Sequence, residues 1–339
     1  MHHRSVGLLR QHELRASQQV VMQQSTQSLA RIEEYSSTPP KLSQRSVQAT
    51  NMFITRILDE CGLEIKMTDE ENMNNNDELS LELKVDQGIL AKRLSQRLRP
   101  STSSANTSTI PLKQFETELI SFFSNDSIFR SSLLPTASTD EVSPLRSQQQ
   151  DSLMRILLCV DELQMFLAKY LLKRLVRFDN KGGDRVVVQN LPLSMIRLIL
   201  QTFHYLPIGK STNAKDLLSF YLDVIDLVTN IDVRCQMIAL VTDIFCDDSL
   251  QMDIVNKLEE KLESTNVEMI KQVLATLTTI PLDPSTDRRI REKIIPMILT
   301  GIVDVKVECF NYLFETSTKA NMFETILLFR DVALVSNRR

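Results

Sequence analysis

From about Leu191 to Leu334 apolar residues recur three and four positions apart, stretch after stretch, with polar residues filling the opposite positions. That is the period of amphipathic helices. Asp, Asn and Pro punctuate the pattern at intervals of roughly 15 to 20 residues. The spacing predicts helices over 192–205, 214–229, 231–246, 249–264, 267–279, 285–300, 302–316 and 319–335. Asp232, Asp248, Asn266 and Asp283 are the expected caps, and Pro284 suits a first helical turn. Pro296 inside such a pattern predicts a kink or an early end. Ser211 to Ala214 marks the widest joint. Helices of this length joined by short loops pack as antiparallel pairs. The expected fold is all-α, an α-solenoid of antiparallel helix pairs behind a disordered N-terminal tail. Such a fold offers long surfaces to partners before it offers a closed pocket.

The first half is less regular. Residues 1–48 read as a disordered Gln- and Ser-rich tail. A first compact apolar face follows in Met52, Phe53, Ile54, Ile57 and Leu58, ended by Cys61-Gly62. Thr68 to Ser80 reads as an acidic, Asn-rich loop. Asp86 fits the N-cap of a helix with Ile89, Leu90, Leu94 and Leu98 on one side, interrupted by Pro100 and a Ser/Thr tract to Thr109. Pro111 opens another helix, and Ile128 to Leu134 gives a turn or two before a polar linker through Gln150. Asp151 to Phe178 is the longest helical run, expected to break once near Asp161. Its core positions include Leu153, Ile156, Leu157, Val160, Leu163, Phe166, Leu167, Tyr170, Leu171 and Leu175. Gly182-Gly183 is a turn, and Val186 to Val188 is too short a strand to imply a sheet. Three regions result: the tail 1–48, an N-terminal helical region 49–180, and a helical repeat array 181–339 that is expected to continue past the chain end.

Composition agrees. The chain has 339 residues, 42% of them hydrophobic, with 7 Gly and no Trp, which suits helices better than a β-sandwich. Its net charge of −4 is unevenly placed: residues 1–50 carry +3, residues 51–150 carry −5 and the remainder −2. No global basicity announces nucleic acid, though a local stripe can still bind it. Cys61, Cys159, Cys235, Cys246 and Cys309 are odd in number and widely spaced, which favours reduced core thiols. Cys235 and Cys246, eleven apart, are expected on nearly one helix face as a packing relation. No uncharged run is long enough to span a membrane.

Candidate chemistry is sparse. Gly209-Lys210-Ser211-Thr212 resembles the end of a phosphate-binding loop, but the first glycine of that motif is missing and a helix precedes it, so a helix–helix turn is the better reading. His2, His3 and His12 lie in the tail, and His204 has no Cys or carboxylate at ligand spacing, so neither a metal nor a cofactor is expected. Asp247-Asp248 and Glu259-Glu260 point about 100° apart on a helix and read as solvated faces and caps. Two basic clusters remain, Lys169, Lys173, Arg174 and Arg177 on one helix, and Arg288, Arg289, Arg291 and Lys293 on another. Each can neutralise a few phosphates, with weak and steeply salt-dependent binding. A solvated helical face, or for the first cluster favourable charges near a helix C-terminus, is the better reading, and phosphate contact is the alternative.

The stretch from Ser152 to Gln164, Ser-Leu-Met-Arg-Ile-Leu-Leu-Cys-Val-Asp-Glu-Leu-Gln, is more specific than generic helix. It resembles a segment of the Fanconi anaemia group D2 family. Cys61-Gly62-Leu63, then Val85-Asp86-Gln87 with Lys92-Arg93-Leu94, then Phe129-Arg130 with Leu133-Leu134 agree in order, as do Lys215-Asp216-Leu217 and Leu282-Asp283-Pro284. The resemblance covers roughly residues 50 to 335. It departs where the family has a His-Pro segment, here Arg99-Pro100 and a Ser/Thr tract, and where the family has a Trp, here replaced by nearby Phe203.

The resemblance implies a nuclear, non-enzymatic α-solenoid that pairs with the paralogous group I protein. It implies clamping of double-stranded DNA during interstrand cross-link repair, under control of monoubiquitination by a core ligase and a deubiquitinase. The acceptor lysine lies outside the matched region, so none is carried to this chain. Family members are several times longer, and Ile326, Leu327, Phe329, Val332 and Leu334 are expected to leave an apolar face needing a neighbour. The competing reading is a HEAT- or armadillo-type interaction adaptor in cytoplasmic transport or signalling.

Overall fold

The computed structural model describes residues 44–67, 79–99, 111–134, 152–181, 191–204, 214–300, 303–319 and 321–336. Most of the tail 1–48, the acidic loop after Met67, the Ser/Thr tract, the linker to Gln150, Gly182-Gly183, Val186 to Val188 and Gly209 to Thr212 lie outside the described residues. What is described is helix throughout, apart from one pair of short strands: an all-α solenoid. The chain divides into two compact units, residues 1–86 with 97–129, and residues 87–96 with 130–339.

In the first unit, α1 (Gln44–Cys61) packs on α3 (Leu112–Phe122) and on strand β1 (Leu63–Met67). Ile54, Ile57, Leu58, Phe115, Leu119, Phe122 and Phe123 form its core. Strand β1 pairs antiparallel with β2 (Leu79–Leu83), Leu63 opposite Leu83 and Ile65 opposite Leu81. These strands flank what the sequence reading takes as loop. Their alternation of Leu and Ile with Glu, Lys and Ser is a period-2 signal, but five residues give it little length. Gly62 holds the corner at φ 109°, a left-handed conformation natural only to glycine. A β-carbon there would meet Val85 Cγ2 at 2.5 Å.

The second unit begins with α2 (Gln87–Leu98), directly after Asp86, though Ile89 faces solvent and not the core side it was expected to share. Beyond the short helix α4 (Asp126–Leu133), the long run breaks as the sequence predicts, into α5 (Leu153–Leu158) and α6 (Asp161–Lys181). Then come α7 (Leu191–Phe203), α8 (Ala214–Leu227), α9 (Ile231–Ile244), α10 (Asp248–Lys261), α11 (Val267–Thr278), α12 (Pro284–Thr300), α13 (Val303–Glu315) and α14 (Met322–Ser336). All eight predicted repeat helices are present, and α12 continues four residues past Pro296 without an early end.

These helices form two rows. Helices α7, α9, α11 and α13 lie side by side in one, while α6, α8 and α10 follow one another in the other. Tyr221 sits at the centre, fully buried edge-on between Phe203 (6.5 Å) and Phe245 (5.5 Å), its hydroxyl donating to the Met237 carbonyl at 2.8 Å. The second row is joined by charge. Lys215 meets Asp253 and both Lys257 and Lys261 meet Asp226, across α8 and α10. Arg289 and Lys293 of α12 meet Glu259 of α10 at 2.7 and 3.2 Å. At the last helices, Phe329 stacks on Phe310 and Phe314, and Val303, Phe314, Phe323 and Ile326 stand mostly exposed. Ile326 and Phe329 thus lie where an apolar face was expected, while the side chains of Val332 and Leu334 lie outside the description.

Candidate nucleic-acid interface

Helix α6 buries Leu163, Leu167, Ala168, Leu171, Leu172, Leu175 and Phe178 against α5, α7 and α8. At 100° per residue, Phe166, Lys169, Tyr170, Lys173 and Arg177 fall in an arc of about 100° on the other side. Phe166 and Tyr170, expected in the core, are half-exposed there, their rings stacked with centroids 6.4 Å apart and planes at 21°. Lys169 and Lys173 are half-buried and Arg177 is exposed. Burial lowers the Lys173 pKa, and the like charge of Lys169 lowers it further. Arg174 is different. It is buried, with its guanidinium 5.2 Å over the Phe178 ring. The helix end is tied inward by Asp179, which accepts from the Thr229 amide and hydroxyl and from the Asn230 amide.

The second basic cluster is built into the fold. Arg291, 8% exposed, donates to Asp287 (2.7 Å), to the Thr325 hydroxyl (3.0 Å), and to the carbonyl and hydroxyl of Thr316. Asn321 and Tyr312 donate to the same Asp287, so α12, α13 and the start of α14 share one polar clasp. Arg289 and Lys293 are engaged with Glu259, and Lys293 also with Glu263. Arg288 is at the surface, paired with Glu292 one turn on. A cleft of about 710 Å³ opens beside this clasp, lined by Ile280, Leu282, Asp287, Arg288, Glu315 and Glu324 among others.

The other expected chemistry resolves into structure. Glu259 is buried as the ion-pair partner of two cations rather than solvated, whereas Glu260 is exposed. Asn230 and Asp247 are the caps of α9 and α10, so Asp232 falls two positions and Asp248 one position past the cap, in the first turns. Asn266 caps α11, and Asp283 accepts from the Ser285 and Thr286 amides ahead of α12. Cys61 and Cys309 are buried thiols, and burial pushes Cys309 up to about 11. Cys159 and Cys246 are exposed, and Cys246 lies past the end of α9, so it shares no helix face with Cys235. The His204 carbonyl accepts from Arg155. Among the described residues, no three His, Cys, Asp or Glu side chains gather as a metal site. Nor is any described helix long and apolar enough to cross a membrane.

The stretch from Ser152 to Gln164 is a helix–corner–helix. Ser152 caps α5 through the Arg155 amide, Cys159-Val160 form the corner, and Gln164 reaches back to the Leu158 carbonyl. Two residues of α2 dock there, Gln87 on the Cys159 sulfur and Ser95 on Glu162 at 2.8 Å. Cys61-Gly62-Leu63 and Val85 meet likewise in the first unit, where the Lys84 amide donates to the Gly62 carbonyl.

Comparison with known proteins places similarity across most of the chain. The family model described as Fanconi anaemia protein FancD2 nuclease matches residues 8–332. The Fanconi anemia group D2 protein homolog of Mus musculus is 24% identical over 315 residues, covering 88% of this chain and 20% of that protein. The Rattus norvegicus homolog is 23% identical over 286 residues, 84% of this chain and 18% of its own. The chain thus spans about a fifth of the length of these curated relatives.

Proposed function

The chain belongs to the FancD2 family, and from that premise we propose that it works as a non-enzymatic scaffold in DNA interstrand cross-link repair in the nucleus. In this reading it is an arm that docks the group I paralogue and contributes to holding double-stranded DNA, with ubiquitin as the switch acting on the longer protein. The observation that carries the reading is the family match across nearly the whole chain, on a two-row helical array. The rows supply long edges, and a permanent pairing interface buries roughly 2,000 Å² or more. Phosphate contacts fall to Lys169, Lys173 and Arg177, because Arg174 is buried and Arg289, Arg291 and Lys293 are engaged within the fold.

The test is retention of the tagged chain on chromatin after treatment of cells with a cross-linking agent. The proposal expects a nuclear, damage-dependent signal. A signal that stays cytoplasmic and indifferent to damage would assign the chain to transport or signalling adaptors instead. Purified chain that cleaves DNA with magnesium or manganese would overturn the non-enzymatic part.

A further inference from the structure

We infer that the cleft beside the Arg291 clasp is a docking site for a short basic and apolar segment of a partner protein. An arginine of that segment answers Glu315 and Glu324, and an aliphatic neighbour rests on Leu282 and Ile295. The inference goes beyond the proposed function, since neither paralogue pairing nor DNA contact calls for such a site. Three observations carry it. The first is a preformed shape. The cleft holds about 710 Å³, inside the roughly 300–1,000 Å³ of ligand-sized sites. Its lining comes from α12 and from two turns. In the turn before α12, Pro281 and Pro284 restrict the backbone, and Asp283 accepts from the Ser285 and Thr286 amides. In the turn before α14, Asn321 accepts from the Thr318 amide at 2.6 Å and donates to Asp287 at 3.0 Å. Arg291 ties α12 to that turn through Thr316 and to α14 through Thr325. A segment entering the cleft meets walls already ordered, which lowers the cost of binding.

The second is uncovered apolar surface. Leu282 and Ile295 are half-buried in the lining, and Pro281 and Pro284 are exposed there. The third is charge. The lining sets four carboxylates, on Asp287, Glu292, Glu315 and Glu324, against the guanidiniums of Arg288 and Arg291. Arg291 is spent on Asp287, and Arg288 on Glu292. Glu315 and Glu324 are exposed and, among the described residues, make no ion pair. Glu324 suits the first turn of α14, but Glu315 is the last residue of α13, where the helix dipole disfavours an acid and no basic residue offsets it. A guanidinium brought there gains from the carboxylate and from the helix end together. Its planar fork also fits a carboxylate as an ammonium does not. A polyanion meets repulsion at the same place, so the charge argues against nucleic acid as the occupant.

The test is fluorescence anisotropy of a labelled peptide, Gly-Ser-Leu-Arg-Leu-Arg-Ser-Gly, titrated with the 339-residue chain. Saturable binding that weakens with added salt is expected. The double variant Glu315→Gln/Glu324→Gln is expected to lose about three- to tenfold in affinity, the size of two exposed ion pairs. Leu282→Ser is expected to weaken binding as well, with the helical circular dichroism unchanged. Arg288→Gln removes a competing cation and releases Glu292, so it is expected to tighten binding about twofold, a gain that misfolding cannot produce. Absence of saturable binding by the wild-type chain overturns the inference. So does equal binding of a peptide with Glu in place of Arg, wild-type affinity in the Gln double variant, or no gain in Arg288→Gln. A 20-base-pair duplex that displaces the peptide overturns it too, and assigns the cleft to nucleic acid. None of these results involves the paralogue or chromatin, so the proposed function stands or falls separately.

Discussion

Arg291 and Arg177 carry the same guanidinium to opposite ends. Arg291 sits inside a clasp of Asp287, Thr316 and Thr325, where it neutralises a half-buried carboxylate and ties three helices. Its truncation leaves Asp287 without its charge partner, so Arg291→Ala is expected to cost about 3–5 kcal/mol in urea unfolding. Arg177→Ala, on the open face of α6, is expected to stay within about 0.5 kcal/mol. Equal effects of the two would contradict this assignment. Sequence shows both as basic residues in a cluster. What separates them is long-range: Thr316 and Thr325 lie 25 and 34 residues away, beyond any local pattern. Gly62 gives a second residue-scale prediction. With φ 109° and Val85 against its missing β-carbon, Gly62→Ala is expected to lower stability by about 1–3 kcal/mol. Adding Val85→Ala is expected to restore only the steric part. Full recovery in thermal melts would show that backbone strain is not a cause.

At the scale of the element, helices were legible because a 3.6-residue period repeats three or four times within each. Their ends depend on one side chain, and there reading by type misplaces a cap by one or two positions. Asp247 and Asp248 are alike in sequence, but only Asp247 turns to the Ser249 amide. The outer face of α6 was half legible. Its cations stood out, while Phe166 and Tyr170 were drawn into the core by their hydrophobicity despite an angle that places them with the lysines. Asp283 turns cap geometry into a pH prediction. Hydrogen bonds from Ser285 and Thr286 hold its carboxyl well below the usual range. The folded state therefore releases this proton more readily than the unfolded chain. The stability it adds is fully present above the ordinary Asp value of about 4, and is lost as pH falls through the lower folded value. Asp283→Asn keeps a capping side chain but cannot ionise. Its melting temperature is expected to trail the wild type at pH 7 and to close the gap below about pH 3. A gap independent of pH would rule out the ionised cap as the cause.

For the whole molecule, the all-α solenoid and the family were both readable, because the helical period repeats along the chain and the family match spans residues 8–332. The residues of these motifs each meet a local constraint in the fold: Gly62 against Val85, Ser152 and Gln164 at the α5–α6 corner, and Asp283 ahead of α12. The division between a charge-joined row and a closely packed row was not legible, since its ion pairs run between helices about 30 residues apart, as Arg289 to Glu259 does. The proposed scaffold rests on what those rows present to another protein. Calorimetric titration of the 339-residue chain with the group I paralogue tests it most directly. Saturable binding by a chain that circular dichroism shows to be helical is the predicted result. A folded, helical chain that takes up no paralogue at any concentration would contradict the proposal that this arm carries a pairing surface.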